Sequence, residues 1–327
     1  MENFRILLLL PFFLLSLILS PRTTTAQLSP NYYANICPNV ESIVRGVVAQ
    51  KMSQSPIAGP ASLRLVFHDC FVAGCDASVM LISPVGDDEW RSPEDMTLKP
   101  EGFDVIISAK AAVDSDPQCT NKVSCADIIA IAARDAVALS RGPFYTVELG
   151  RYDGKVSTKS SVVLPHPEFN LDQLNSMFGA FGLTQTDMIA LSGAHTIGAA
   201  GCPSFYNRLY NYAPNQPTDP SMNQGFAAQL QQTCPRVFSP SAFAFLDATT
   251  SATFDNVYYQ NLQRGMGLLG SDQVLFTDPR SANTVNQFAS NQIVFFTAFV
   301  DAITKMGRIG VKTAVDGEIR RDCRFVN

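Results

Sequence analysis

Apolar residues recur at helical spacing along most of the chain. In residues 41–54 they form one stripe, which predicts a helix packed along a single face; the stripe consists of Ile43, Val44, Val47 and Val48. Residues 125–140 are rich in alanine and apolar nearly all round, which predicts a buried central helix. The same spacing predicts further helices over residues 102–115, 171–182, 185–193, 224–232, 256–264 and 290–310.

Patterns typical of strands are few and short, and they lie near residues 145–151 and 308–313. Proline and glycine recur where the predicted helices end. The sequence contains no internal repeat, low-complexity tract or long linker. The pattern therefore predicts one mainly α-helical domain with few short β-strands.

The N-terminus has a different pattern from the rest of the chain. Arg5 precedes an apolar run over residues 6–19, and small residues follow at Thr24 and Ala26. This order is typical of a secretory signal peptide, and the run is shorter than the ~20 residues that a membrane span needs. We expect residues 1–26 to be removed and residues 27–327 to form the mature domain. An uncleaved anchor is the alternative.

The charge balance argues against some classes of partner. The chain carries 24 Lys+Arg and 29 Asp+Glu, and loss of residues 1–26 leaves 22 and 28, so the net charge changes from −5 to −6. An acidic protein is a poor candidate for binding nucleic acid. No later apolar run is long enough to span a bilayer. We therefore expect a soluble protein with neither nucleic acid nor membrane as a partner.

All eight cysteines follow the predicted signal peptide. An even count in an exported chain predicts four disulfides, formed in an oxidising compartment. Spacing by itself favours only the local pair Cys70–Cys75, and buried free thiols are the weaker alternative. No apolar tail follows the Cys323 segment, which favours the extracellular space over a vacuole.

Residues 61–78, ASLRLVFHDCFVAGCDAS, concentrate chemically active side chains. Arg64 and His68 are four residues apart, so a helix places a permanent cation and an imidazole on one face, with Phe67 beside them. Without further context, a partly buried histidine beside a surface arginine would be the simpler interpretation. The loop that follows offers the hard oxygen ligands that calcium prefers, from Asp69, Val72, Gly74, Asp76 and Ser78.

A second group of residues surrounds His195, which follows an apolar helical run in MIALSGAHTIG. A lone histidine in such a setting is more often a core residue than a ligand. Residues 247–255, DATTSATFD, add hydroxyl and carboxylate oxygens, although a solvated turn would have the same composition.

The motif RLVFHDCFVAGCDAS resembles the distal motif of the secreted plant-type (class III) haem peroxidases, and LSGAHTIG resembles their proximal motif. The resemblance covers essentially the whole chain after residue 26. It implies a mainly α, two-lobed fold, with haem between a distal and a proximal lobe. It also implies that Arg64 and His68 are the distal catalytic pair and that Phe67 lines the peroxide pocket.

The resemblance assigns further residues on the proximal side. His195 would be the axial ligand of the haem iron, and Asp272 would accept a hydrogen bond from it. Pro165 would line the exposed haem edge where reducing substrates approach, whereas the adjacent His166 is expected to be a solvent-facing loop residue. Asp127 and Arg151 would form a buried structural ion pair.

Two calcium ions and four disulfides are also implied. The distal calcium site would consist of Asp69, Val72, Gly74, Asp76 and Ser78, with Glu89 acting through a water molecule. The proximal site would consist of Thr196, Asp247, Thr250, Thr253 and Asp255. The implied disulfides are Cys37–Cys119, Cys70–Cys75, Cys125–Cys323 and Cys202–Cys234.

The implied function is a secreted haem peroxidase of the extracellular space or cell wall. It would hold one haem b, reduce hydrogen peroxide and oxidise small phenolic donors in one-electron steps, and we expect a monomer. The physiological donor and the biological role stay open. Two other classes compete with this interpretation: an inactive wall protein, and a calcium-stabilised carbohydrate-binding protein. Retention of Arg64, His68, His195 and Asp272 argues against the first, and the lack of identifiable surface aromatic platforms against the second.

One position departs from the family pattern. Where the family usually has an asparagine that links the calcium site to the distal histidine, the segment EWRSPED has Asp95. An ionised carboxylate beside His68 raises the pKa of the imidazole, so the sequence predicts that the reaction with peroxide needs a higher pH than is usual for the family, unless Asp95 is protonated.

Overall fold

The computed structural model describes residues 28–237, 239 and 241–327. The predicted signal peptide over residues 1–26 therefore lies outside the described residues. The α-helices are α1 (Val40–Gln54), α2 (Ala58–Cys70), α3 (Pro100–Ser115), α4 (Cys125–Leu139), α5 (Leu171–Ala180), α6 (Gln185–Ser192), α7 (Tyr206–Leu209), α8 (Gln224–Thr233), α9 (Val257–Gln263), α10 (Gly270–Thr277), α11 (Pro279–Ser290) and α12 (Gln292–Met306). The strands are β1 (Ala199–Gly201) and β2 (Phe243–Phe245), which pair antiparallel.

The larger helices pack into two groups, which confirms the predicted mainly α, two-lobed fold. Helices α1, α2, α3 and α4 contact one another, and α5, α6, α9, α10, α11 and α12 form the second set of contacts. The first candidate histidine lies on α2, in the first group. The second lies just after α6, in the second group. The fold therefore assigns one histidine to each lobe.

Burial follows the hydrophobic pattern. Helix α4 is buried around most of its circumference, and α1 buries the stripe of Val40, Val44 and Val48. A smaller apolar cluster lies around α7 and α8 and includes Phe205, Leu209 and Phe226. In the part of the chain that the structure describes, no helix is long and apolar enough to cross a membrane.

The predicted strands near residues 145–151 and 308–313 are wrong. Leu149 pairs with Ser29, Tyr152 with Lys312 and Asp153 with Glu318, each through an isolated bridge. Because these bridges are isolated, no continuous ladder forms in either segment, and residues 307–310 form a turn. The observed strands lie elsewhere, where Ala199–Gly201 pairs with Phe243–Phe245.

Four disulfides tie the fold together. The pairs are Cys37–Cys119, Cys70–Cys75, Cys125–Cys323 and Cys202–Cys234, which are the pairs that the family resemblance implies. Cys125–Cys323 closes the longest loop, with a sequence separation of 198, and anchors the C-terminal segment to the start of α4. Cys70–Cys75 closes the loop directly after α2.

Candidate active site

Helix α2 presents Arg64 and His68 one turn apart, as the sequence predicts. The exposed Arg64 guanidinium donates from Nη1 to the carbonyl of Thr97 (3.0 Å) and from Nη2 to the Thr97 hydroxyl (2.7 Å). Two hydrogen bonds to one residue hold the planar guanidinium in a fixed orientation. Phe67 stacks against Phe178 of α5, with ring centroids 6.2 Å apart, so the wall beside the pair connects the two helical groups.

Asp95 is the direct partner of His68, although the two residues are 27 positions apart. Oδ1 of Asp95 lies 2.5 Å from Nδ1 of His68, and both side chains are buried. Asp95 begins the 3₁₀ turn Asp95–Thr97, so one turn holds His68 through its first residue and Arg64 through its last. The departure from the family pattern therefore lies in contact with the candidate acid–base group.

Burial and the Asp95 carboxylate have opposite effects on the pKa of His68. Burial lowers the pKa of the His68 imidazole, because the charged form loses its solvation, and the hydrogen bond to Asp95 only partly offsets this effect. The buried imidazole therefore stays neutral to lower pH than a free histidine. The contact with Asp95 raises the pKa of His68, as the sequence predicts, but burial has the larger effect and keeps this pKa below that of a free histidine. The need for a higher pH than is usual for the family stays a prediction.

Replacing Asp95 with asparagine tests how large the opposing effect is. Asp95→Asn keeps a hydrogen-bond acceptor for Nδ1 but removes the negative charge, so the pKa of His68 should fall further below its ordinary value. A base must be neutral to accept a proton, so the acid limb of the rate of reaction with peroxide should move to lower pH. Stopped-flow measurement of that rate from acid to neutral pH checks the shift.

The matched control for this variant is Glu94→Gln. Glu94 also raises the pKa of His68 through its charge, but its effect is smaller than that of Asp95, and it makes no hydrogen bond to the ring. We expect a smaller displacement of the acid limb in Glu94→Gln than in Asp95→Asn. Equal displacements, or none, would show that the hydrogen-bonded carboxylate has no special effect.

His195 is positioned by the end of α6. This helix starts with a capping box between Thr184 and Asp187 and ends at Gly193. A Cβ at Gly193 would lie 2.3 Å from the Tyr259 hydroxyl, so only glycine allows the helix end to approach α9 this closely. The 3₁₀ turn Gly193–Thr196 follows and carries His195.

Asp272 orients His195. Its Oδ1 lies 2.8 Å from Nδ1 of His195 and also accepts a hydrogen bond from the Tyr258 hydroxyl (2.9 Å), while Oδ2 accepts one from the amide of Leu269 (3.2 Å). Burial and the charge of Asp272 raise the pKa of Tyr258 well above its usual value, so the tyrosine remains a donor. The sequence indicated Asp272 but gave no signal for Tyr258.

Both histidines direct Nδ1 to a buried aspartate, which leaves Nε2 of each ring available. The side chain of His195 is 38% exposed, whereas Asp272 behind it is 2% exposed. An accessible imidazole backed by a carboxylate is the usual arrangement of a metal-ligating histidine. The residues present therefore fit an axial ligand of haem iron.

The distal loop has the chemistry of a calcium site. Oδ1 of Asp69 and both carboxylate oxygens of Glu89 are buried without a hydrogen-bond partner among the described residues. Asp76 is close enough to raise the pKa of Asp69, after the larger effect of burial. Burial raises the pKa of Glu89 to about 8. Buried carboxylate oxygens without hydrogen-bond partners fit the donor set of a cation site.

The predicted proximal calcium ligands also come together. The Thr250 hydroxyl lies 3.0 Å from Asp255 Oδ1 and 3.3 Å from Asp247 Oδ2. The Thr196 hydroxyl lies 3.3 Å from the carbonyl of Thr253 and 3.4 Å from Asp255 Oδ1. Hydroxyl, carbonyl and carboxylate oxygens from two chain segments thus converge next to His195, which fits calcium.

Neither the distal loop nor the proximal group of oxygens consists of carboxylates alone. Among residues 28–237, 239 and 241–327, no set of three or more His, Cys, Asp or Glu side chains is arranged to hold a metal ion. Any cation must therefore be bound by mixed donors that include hydroxyls and backbone carbonyls. Such donors suit calcium rather than zinc or other transition metals.

The remaining predicted residues lie outside these contacts. Asp127 and Arg151 form an ion pair at 2.9 Å, and both are buried. Pro165 is half-buried in an extended loop. His166 is exposed, 3.8 Å from Glu168, as expected of a loop histidine. In the described part of the chain, neither Pro165 nor His166 forms a hydrogen bond, ion pair or ring contact with His68 or His195.

Two helical lobes, each carrying a histidine hydrogen-bonded to a buried aspartate, define the architecture of a haem peroxidase. The chain belongs to the peroxidase family, because the family model described as Peroxidase matches residues 44–291. It is 56% identical to Peroxidase 45 of Arabidopsis thaliana over 318 residues, which cover 97% of this chain and 96% of that protein. It is also 56% identical to Peroxidase 16 of the same plant over 315 residues, which cover 96% and 97% of the two chains.

Proposed function

We propose that this peroxidase reduces hydrogen peroxide with His68 as the proton-transfer group and Arg64 as the electrostatic stabiliser. One observation carries the proposal: His68, which shares a face of α2 with Arg64, is hydrogen-bonded through Nδ1 to Asp95. Asp95 fixes Nδ1, so Nε2 is the ring nitrogen that exchanges protons with substrate. His68 takes a proton from hydrogen peroxide and returns it to the departing oxygen, which leaves as water.

Arg64 stabilises the negative charge that develops as the oxygen–oxygen bond breaks. Its guanidinium is already oriented by the two hydrogen bonds to Thr97, so it needs little reorganisation during the reaction. Phe67 keeps one side of the reacting space apolar. Because Arg64 is a permanent cation, it stabilises this developing charge without any change in its own protonation state.

His195 would hold the haem iron, and Asp272 would strengthen it as a ligand by accepting a hydrogen bond from Nδ1. Haem b, when bound, supplies the redox chemistry: it stores the two oxidising equivalents of peroxide and releases them one at a time to reducing donors. The donors are small phenols, which approach beside Pro165.

Two calcium ions support the two histidine sites. The distal ion would be held by Asp69, Val72, Gly74, Asp76 and Ser78, with Glu89 through water, and Asp69 directly follows His68 in the chain. The proximal ion would be held by Thr196, Asp247, Thr250, Thr253 and Asp255, and Thr196 directly follows His195. Each ion therefore fixes the backbone next to one of the histidines.

The protein is secreted as a monomer after removal of residues 1–26, and it acts in the extracellular space or cell wall. The signal-peptide pattern and the four disulfides support this location.

One absorption experiment tests the proposed function. The purified, disulfide-bonded protein should show a haem Soret band that shifts within seconds of adding hydrogen peroxide and returns when a phenol is supplied. A protein without haem that takes up no added haemin would exclude it. A haem-bound protein that does not respond to peroxide would indicate the inactive wall protein instead.

A further inference from the structure

The C-terminal segment, residues 307–323, packs against the distal calcium loop. The amide of Cys75 donates to the carbonyl of Ile309 (2.9 Å). Gly74 and Gly310 both have positive φ, and a Cβ at Gly74 would lie 2.6 Å from the Gly310 Cα. The two backbones therefore touch, and this contact brings the side chains of the C-terminal segment beside the calcium ligands.

The segment places two cationic side chains, Lys312 and Arg320, beside the distal calcium loop, and their contacts differ. The fully buried Arg320 donates to the carbonyls of Ala77 (2.8 Å), Cys323 (2.9 Å) and Gly154 (2.6 Å). These bonds join three chain segments, so Arg320 is structural.

Lys312 instead approaches a proposed calcium ligand directly. Its Nζ lies 3.6 Å from Asp76 Oδ2 and donates to the carbonyl of Ala73 (3.2 Å). Ala73 lies between Val72 and Gly74, whose carbonyls are proposed ligands. The side chain of Lys312 is 28% exposed and that of Asp76 is 2% exposed. The ammonium group can therefore retreat toward solvent, whereas the carboxylate cannot.

We propose that Lys312 sets the affinity of the distal site for calcium by competing with the ion for Asp76. This inference rests on the proposed distal calcium site and adds a determinant of its affinity. With calcium bound, the ammonium group and the divalent cation repel each other across one carboxylate. Without calcium, Lys312 is the ion-pair partner of Asp76, and it limits the cost of leaving a buried carboxylate unpaired. Lys312 thus reduces the difference in stability between the calcium-loaded and calcium-free protein.

The test uses the haem-bound protein and the variant Lys312→Met, which keeps the aliphatic stem but removes the charge. Calcium binding is measured by equilibrium dialysis of ⁴⁵Ca²⁺ against calcium buffers. We expect one class of site to bind roughly tenfold more tightly in the variant. Under excess chelator the variant should unfold at a lower temperature than the unmodified protein, because Asp76 loses its partner. A residue that only stabilised the fold would not tighten calcium binding.

Two further variants make the result interpretable. Lys51→Met removes a lysine that pairs with Asp104 (2.7 Å) on other helices, and it should leave both calcium affinities unchanged. Asp69→Asn should abolish the same class of site that tightens in Lys312→Met, which assigns that class to the distal loop.

The outcomes separate the inference from the proposal on which it rests. Unchanged or weaker distal binding in Lys312→Met, with calcium bound normally by the unmodified protein, overturns the role of Lys312 alone. Failure of the unmodified protein to bind calcium at a site that depends on Asp69 overturns the distal calcium site and this inference together. The Soret response to peroxide is a separate readout, so neither result bears on whether the protein is a peroxidase.

Discussion

Replacing His68 with alanine is expected to slow the reaction with hydrogen peroxide by roughly 10²–10⁴-fold, the usual contribution of a positioned acid–base group. The haem should stay bound, because His68 lies on α2 whereas the proposed iron ligand follows α6. Stopped-flow absorption of the Soret band after mixing with peroxide measures the rate. The acid limb of the pH profile should also disappear, since the group that titrates is gone.

The chain provides a matched control for this substitution. His166 is one of only three histidines, and it lies on an exposed loop beside Glu168. His166→Ala should therefore leave both the spectrum and the rate with peroxide unchanged. A His68→Ala protein that reacts as fast as His166→Ala would show that another group moves the proton.

The local chemistry of the distal side could be predicted from the sequence because it lies within one helix and the loop after it. Arg64 and His68 share a helix face by their spacing alone. The partner of His68 could be placed only by resemblance, since Asp95 is separated from it by the distal loop and two short turns. The sign of its effect on the pKa of His68 could be predicted, but its size relative to burial could not. Burial of the ring outweighs the carboxylate, and burial depends on how the whole lobe packs.

Helices α10 and α11 illustrate a different limit. The hydrophobic pattern predicted neither helix: α10 has weak apolar periodicity, whereas α11 is amphipathic, with Val285 and Phe288 on its buried face, but carries few apolar residues. A start signal for α11 was nevertheless present, because Asp278 caps the helix and Pro279 occupies its first turn. The predicted strands failed for a complementary reason. Residues 145–151 have strand-like composition, but whether an extended segment joins a ladder depends on a partner that is distant in sequence.

The contacts that no local pattern predicts are those between remote segments. Tyr258 reaches Asp272 from a different helix, and Lys312 reaches Asp76 across more than two hundred residues. Neither tyrosine nor lysine has a spacing that would mark it. The C-terminal segment becomes part of the distal site only because Cys125–Cys323 and the contact of Gly74 with Gly310 bring it there.

The two histidine–aspartate pairs share a geometry but differ in what surrounds the carboxylate. Asp95 Oδ2 has no hydrogen-bond partner among the described residues, so His68 receives the main interaction of that carboxylate. Asp272 also accepts hydrogen bonds from Tyr258 and the Leu269 amide. These extra donors stabilise the ionised carboxylate. The carboxylate in turn accepts a hydrogen bond from Nδ1 of His195, which leaves Nε2 free to bind a metal. The same pair of residue types can thus serve proton transfer in one lobe and metal ligation in the other.

Replacing His195 with alanine is expected to remove the protein ligand of the haem iron. The ferric absorption spectrum should change and haem should dissociate more readily, because no other histidine follows α6. Imidazole added in solution should restore part of the original spectrum by occupying the position of the missing side chain. An unaltered ferric spectrum would contradict the assignment.

Replacing Asp272 with asparagine removes the negative charge behind His195 and leaves His195 itself in place. The iron should keep its imidazole ligand, because Asn can still accept a hydrogen bond from Nδ1. The loss of negative charge makes the imidazole a weaker donor, so the ferric–ferrous reduction potential should rise. Potentiometric titration measures this change independently of activity. If the potential is unchanged while His195→Ala alters the spectrum, Asp272 fixes the ring orientation and has no electronic effect on the iron.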